Sequence, residues 1–84
     1  MNYFTYILYS EIKDRYYIGS TENLERRLER HNQGATKSTK NGRPWKIVYT
    51  EEYKTKSEAI IRELYIKRMK TKVFIEKLIK AKKE

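Results

Sequence analysis

Residues Tyr16–Asn32 read Y-Y-I-G-S-T-E-N-L-E-R-R-L-E-R-H-N, and the fold turns on how they are read. Tyr16 to Gly19 is an aromatic and β-branched run, which suits a pleated strand. Gly19 is expected to break that strand. Ser20 or Thr21 would then cap a helix, with Glu22 in its first turn, where a carboxylate meets the positive end of the helix dipole. Leu24, Leu28 and His31 recur at i, i+4 and i+7 and so share one helical face. Arg27 lies beside that face. A tyrosine leaving a strand and an arginine entering from a helix converge at this glycine corner, which is the candidate site.

Upstream, Tyr3 to Tyr9 has strand character, and Ser10 to Arg15 is a polar connection short enough for a hairpin. A register that faces residues 9 and 14 also faces Tyr6 and Tyr17. Downstream, Gly34 is a C-terminal helix cap. Ala35 to Pro44 reads as a loop carrying Lys37, Lys40 and Arg43 among small hydroxyl residues. It suits a solvated connector or a phosphate-contacting loop equally. Trp45 to Tyr53 reads as a third strand with Trp45, Ile47 and Tyr49 on its more apolar face.

Thr55-x-x-Glu58 is a capping box opening a second helix. Ala59, Ile60, Glu63, Leu64 and Lys67 stay close on that helix, with Ile61, Tyr65 and Arg68 in a neighbouring stripe. A carboxylate at Glu63, among core-facing residues, is costly unless it is paired or binds a cation. A salt bridge to Lys67 at i+4 is the plainer reading. Thr71 is expected to cap a basic third helix over 72–82, with Val73, Phe74, Leu78 and Ile79 packing inward. The order is β-β-α-β-α-α, read as one domain over 1–84 with its core at about 3–70.

Composition narrows the function. Twenty Lys and Arg against eleven Asp and Glu leave a net charge of +9, accompanied by eight tyrosines and one tryptophan. Basic and aromatic composition together point to a nucleic-acid binder. Without cysteine there are no disulfides or thiolate metal sites, and one histidine cannot make a zinc site by itself. The apolar runs are too short to span a bilayer and the N-terminus lacks a signal-peptide pattern. The expectation is a cytoplasmic protein, compatible with nucleoid association, with no membrane partner.

These residues carry a resemblance. The chain resembles the GIY-YIG nuclease domain family, and within it the short stand-alone bacterial proteins related to the N-terminal nuclease domain of the excision-repair nuclease. The first motif survives as Phe4-Thr5-Tyr6, keeping only the tyrosine, and the second is intact as Tyr17-Ile18-Gly19. Leu24-x-x-Arg27-Leu28-x-x-His31-Asn32 and Ser57-Glu58-Ala59 with Glu63 follow in the family's order. The resemblance implies an α+β fold, a small three-stranded antiparallel sheet flanked by three helices.

The resemblance also implies a metal-dependent endonuclease that cuts DNA, including branched or damaged DNA, leaving 5′-phosphate and 3′-hydroxyl ends. By it, Glu63 holds one Mg²⁺ or Mn²⁺ and Arg27 binds the scissile phosphate. Tyr6 and Tyr17 are the active-site tyrosines, and His31 lines the site. Arg26, Arg30, Lys37, Lys40, Arg43 and Lys67 are the expected nucleic-acid contacts. Larger family members append domains that choose the substrate, so a protein partner supplying specificity is a further expectation. Each site residue also has a plainer role: packing for the tyrosines, solvation for Arg27, a structural hydrogen bond for His31. Two other functions stay open, a weakly active nucleic-acid-binding module on the same fold and a basic protein-interaction domain.

Overall fold

The structure is a computed structural model that describes residues 2–69 and 71–83. Met1, Lys70 and Glu84, within the expected domain 1–84 and core 3–70, lie outside the described residues. Strands β1 (Tyr3–Ser10), β2 (Arg15–Thr21) and β3 (Trp45–Tyr53) form an antiparallel sheet in the order β2-β1-β3. Helix α1 (Leu24–Asn32) follows β2, and α2 (Lys56–Met69) and α3 (Lys72–Lys83) follow β3. The fold is α+β, as expected.

Helices cover both faces of the sheet, and this accounts for the unbroken burial of Thr5 to Leu8 on the central strand. On one face Tyr6, Leu8 and Trp45 pack with Tyr17, Ile47 and the α1 leucines Leu24 and Leu28. On the other, Ile7, Ile18 and Tyr49 meet Ile66 of α2 and Ile75 of α3. Two cores thus share one three-stranded sheet.

Several local expectations are corrected. Gly19 does not end β2; the strand continues to Thr21, and the helix cap is Asn23, whose side chain accepts from Arg26 N at 3.0 Å. Glu22 therefore precedes the helix, and Glu25 is the acidic residue of its first turn. Gly19 is a strand residue because it pairs with Tyr6, whose ring occupies the space a side chain would need. Tyr17 pairs with Leu8 rather than Tyr6, and Tyr9 with Tyr16. That register differs from the expected one by a full pleat repeat, so Tyr6 and Tyr17 still share a face.

Helix α1 ends as expected. Gly34 has φ of 80°, its N–H donates to His31 O at 3.2 Å, and Ala35 N–H donates to Arg30 O at 3.1 Å. This is a Schellman closure. The 35–44 segment is not an irregular loop, because Lys37–Gly42 forms a 3₁₀ helix. Trp45 Nε1 ties it to the sheet by donating to Thr39 O at 2.7 Å, and Asn32 at the end of α1 accepts from Trp45 N at 2.6 Å and donates to Trp45 O at 3.0 Å. A register shift between Ile7 and Leu8 skips Val48, which splits β3 between the two faces. Trp45 and Ile47 join Leu8 while Tyr49 joins Ile7, so the three do not share a face.

Both later helices open on the expected caps: Glu58 N–H donates to Thr55 Oγ1 at 3.2 Å, and Phe74 N–H to Thr71 Oγ1 at 3.1 Å. Their inward faces match expectation in part: Phe74, Leu78 and Ile79 pack on the core as expected, and other positions differ. Ala59 and Ile66 are the buried residues of α2 while Leu64 is exposed, and on α3 Ile75 is buried while Val73 is exposed. The sheet meets each helix at a rotation that periodicity does not specify.

Candidate active site

β1 and β2 bring Tyr6 and Tyr17 onto the face that α1 covers, and their ring centroids lie 6.5 Å apart. His31, on the last turn of α1, sits edge-on to both rings, 6.1 Å from Tyr6 and 4.9 Å from Tyr17. Tyr6, His31 and Thr39 are fully buried, and Tyr17 is half-buried. Tyr6 Oη lies 3.0 Å from His31 Nε2, and His31 Nδ1 lies 2.8 Å from Thr39 Oγ1. Thr39 Oγ1 is also 3.3 Å from Thr36 O, to which it can only donate. A threonine hydroxyl has one proton, so a Thr39 that donates to Thr36 accepts from His31 Nδ1–H. Nε2 is then the acceptor for the Tyr6 hydroxyl, and the protons run Tyr6 → His31 → Thr39 → Thr36.

Electrostatics agree with this order. Burial pushes the Tyr6 phenol up to about 12, and neighbouring Tyr17 adds to the rise. The Arg27 guanidinium pulls in the other direction and Glu63 raises it further, so Tyr17, Arg27 and Glu63 each lie within electrostatic reach of Tyr6. Burial, then the charges of Arg27 and Arg30, hold His31 below its ordinary value. At neutral pH Tyr6 is a protonated donor and His31 a neutral acceptor.

A pH test follows. The pKa of His31 is lower folded than unfolded, where it is about 6.5. Its contribution to stability is complete above that value and is lost as pH falls below it towards the folded pKa. The thermal midpoint is expected to fall between about pH 7.5 and about pH 5.5 by more in wild type than in His31→Gln. Equal slopes in the two proteins would remove His31 as the titrating group.

Glu63 reaches the site from the opposite face of the sheet. Ser20 Oγ, one residue past Gly19, donates to Glu63 Oε1 at 2.7 Å, and Lys67 Nζ donates to Oε2 at 2.7 Å. The carboxylate is therefore anchored beside the glycine corner and also forms the i+4 pair with Lys67. Next to it a cleft of about 490 Å³ opens between α1 and the start of α2, lined by Ser20, Thr21, Arg26, Arg27, Arg30 and Lys56 among others.

The structure therefore brings Tyr6, Tyr17 and His31 into contact, sets Arg27 and Glu63 where each acts on Tyr6, and lines the adjoining cleft with Arg26, Arg27 and Arg30, while Tyr6, Tyr17, His31 and Glu63 lie behind its wall. Lys37, Lys40 and Arg43 do not line it. Lys40 and Arg43 border a separate shallow depression, and Arg43 Nε donates to Lys40 O at 2.8 Å. Lys67 is engaged by Glu63. Sequence reasoning missed Ser20 as the anchor of Glu63, Lys56 on the cleft wall, and Thr39 as the partner of His31. Lys56, just inside the capping box, could have been found from its place at a helix N-terminus. Thr39 carries no local signal.

A second carboxylate also escaped the sequence. Glu51 accepts from Tyr49 and Tyr53 hydroxyls and from Arg62 Nε and Nη2, the last two at 2.9 and 3.2 Å. Burial pushes its carboxyl up, but these donors overcome that and hold it below the usual value. The forked Arg62 contact clamps α2 to β3 one residue before Glu63.

The model of the GIY-YIG catalytic domain matches residues 2–78. The UPF0213 protein CPE1444 of Clostridium perfringens is 46% identical over 71 residues, covering 82% of this chain and 73% of that one. The UPF0213 protein YazA of Bacillus subtilis is 36% identical over 80 residues, covering 89% of this chain and 79% of the relative. The solution NMR structure of the UPF0213 protein BH0048 from Bacillus halodurans aligns with a TM-score of 0.61 at 30% identity, over 98% of this chain and 86% of that one. With the tyrosine pair, Gly19 opposite Tyr6 and the sheet that carries them in place, the chain belongs to the GIY-YIG catalytic domain family, a nuclease fold.

Proposed function

We propose that the protein is a divalent-metal-dependent endonuclease that hydrolyses DNA phosphodiesters, with branched or damaged DNA as the substrate to test first. One observation carries this reading: a cleft walled by Arg26, Arg27, Arg30 and Lys56, with Glu22 at its edge, reaches an anchored carboxylate through Ser20 and a pair of phenols through Arg27. Phosphodiester hydrolysis needs a bound phosphate, charge neutralisation and an oriented water.

Arg27 binds the scissile phosphate through its planar fork of donors and meets the charge that develops on it. Tyr17, the more accessible phenol, orients the attacking water. Tyr6, buried and donating to His31, is a positioning residue that holds Tyr17 and Arg27 in place. Glu63 is the residue that would hold Mg²⁺ or Mn²⁺. A single carboxylate beside a phosphate cleft fits Mg²⁺, which keeps much of its water and binds through one or two carboxylates and substrate phosphates. Among the described residues no group of three or more His, Asp or Glu converges, so protein alone does not build a full cage. When bound, such an ion neutralises phosphate charge. Glu63 would have to release Lys67 to receive it.

The intact Glu63–Lys67 pair is the one observation favouring a second reading, a module that binds nucleic acid without turnover because Lys67 already satisfies Glu63. Plasmid nicking and cleavage of labelled branched DNA, with and without Mg²⁺ or Mn²⁺, separate the two. Wild type is expected to cleave only with the metal. Glu63→Gln, folded by circular dichroism, is expected to lose about 10²–10³-fold in rate. Salt-sensitive binding with no cleavage of any substrate would select the binding module, and absence of both would select a protein-interaction role.

A further inference from the structure

Helix α2 is apolar on two opposite sides. Its inner side places Ala59 and Ile66 in the core. Its outer side exposes Ile61 (66%), Leu64 (55%), Tyr65 (44%) and Met69 (40%), and Val73 (62%) is exposed near the start of α3. These spacings follow i, i+3, i+4 and i+8, so the α2 residues form one stripe. A helix at the surface of a single chain ordinarily turns a polar side to water. Four large apolar side chains exposed in one stripe mark a docking surface.

We infer that a second copy of this chain covers the strip, with the two α2 helices packed antiparallel about a twofold axis. The charge pattern selects that occupant. Glu58 stands at the N-terminal end of the strip and Arg68 at the C-terminal end, at equal sequence distance from Glu63, and both are exposed. Neither belongs to an ion pair among the described residues; Glu58 Oε1 accepts from the Thr55 hydroxyl at 2.9 Å, which fixes the carboxylate at the helix start and leaves its charge unneutralised. A twofold makes every contact reciprocal. Reversing α2 sets Ile61 near Tyr65 of the partner subunit and Glu58 near Arg68 of the partner subunit, twice over. A foreign partner of one charge sign would mismatch one end. Tyr65 is already oriented, since Phe74 meets its ring edge-on at 6.2 Å and the Arg62 guanidinium lies 5.2 Å from its centroid. Glu63 points to Ser20 on a different side of α2, so pairing leaves the cleft open and puts two clefts in one particle.

The net charge of +9 opposes self-association. Dimerisation should therefore strengthen as salt screens that charge, whereas phosphate binding weakens. Sedimentation equilibrium of the full chain without DNA, at about 0.1 M and about 0.5 M salt, tests this independently of any catalysis. A dimer that tightens with salt is expected, and Leu64→Lys, unchanged in circular dichroism, is expected to be monomeric. Glu58→Lys and Arg68→Glu, which lie on the surface, are each expected to weaken the dimer about tenfold, and the double reversal to restore it. A monomeric wild type at both salts overturns the inference. So does a dimer indifferent to these changes, or a double reversal that fails to restore it.

Discussion

Arg27→Ala is expected to slow cleavage by about 10²–10³-fold while leaving the fold and much of the DNA affinity intact. Arg27 is half-buried on α1, lines the cleft and acts on both Tyr6 and His31, so it stands where cleft and phenols meet. Arg26 and Arg30 share the cleft but are exposed. Their alanine variants are expected to weaken binding, each lowering the slope of log affinity against log salt by about one, with little change in single-turnover rate. Arg27→Lys keeps the charge without the fork and is expected to recover little activity. Removing the Arg27 charge should also let the His31 pKa rise, which NMR of the imidazole protons reads without any substrate. An Arg27→Ala enzyme within about tenfold of wild type in single-turnover cleavage would end the role assigned to it.

Gly19→Ala is expected to disturb the site as strongly by a steric route. A Cβ at Gly19 would lie 2.4 Å from the Tyr6 hydroxyl oxygen and 2.6 Å from Cζ. Tyr6 is 1% exposed and packed in a cluster with Leu8, Trp45 and Tyr17. Either its ring leaves His31 or β2 shifts on β1, and overpacking of this kind costs about 1–3 kcal/mol. Denaturant unfolding measures the loss, and cleavage should fall with it because Tyr17 and Arg27 lose their support. The clash has one partner, so the two sites should be non-additive. In a Tyr6→Leu background, Gly19→Ala should cost less by about 1 kcal/mol or more. Additive costs would show that Gly19 matters for some reason other than the Tyr6 ring.

The sequence made most of the scaffold legible. Three strands and three helices appear in the expected order, and Gly34, Thr55 and Thr71 cap the helices they were expected to cap. These are local devices, set by a positive φ or a hydroxyl within reach of a free N–H, so neighbouring residues suffice to read them. Gly19 was misread for the same reason. Locally a glycine after a strand means a turn, and only the ring of Tyr6, brought over it by pairing with β1, explains its absence of side chain. Val48 hid its bulge similarly, since alternation along β3 continues through it in sequence and breaks only against β1.

The resemblance to the family, carried in order by Tyr6, Tyr17-Ile18-Gly19, Arg27, His31 and Glu63, nominated these residues, whereas residue types alone left packing, solvation and a salt bridge as the plainer readings. Tertiary structure decided how they meet. Ser20 holds Glu63 beside the glycine corner, Thr39 sets the donor direction at His31, and Lys56 joins the arginines across a cleft between two helices. It also separated Lys40 and Arg43 from that cleft, although their charge and loop setting looked equivalent in sequence. The reason is physical. Helix and strand periods fix which side chains share a face, but the rotation and distance between faces come from packing. A hydrogen bond between residues far apart in the chain exists only once both cores have closed around one sheet.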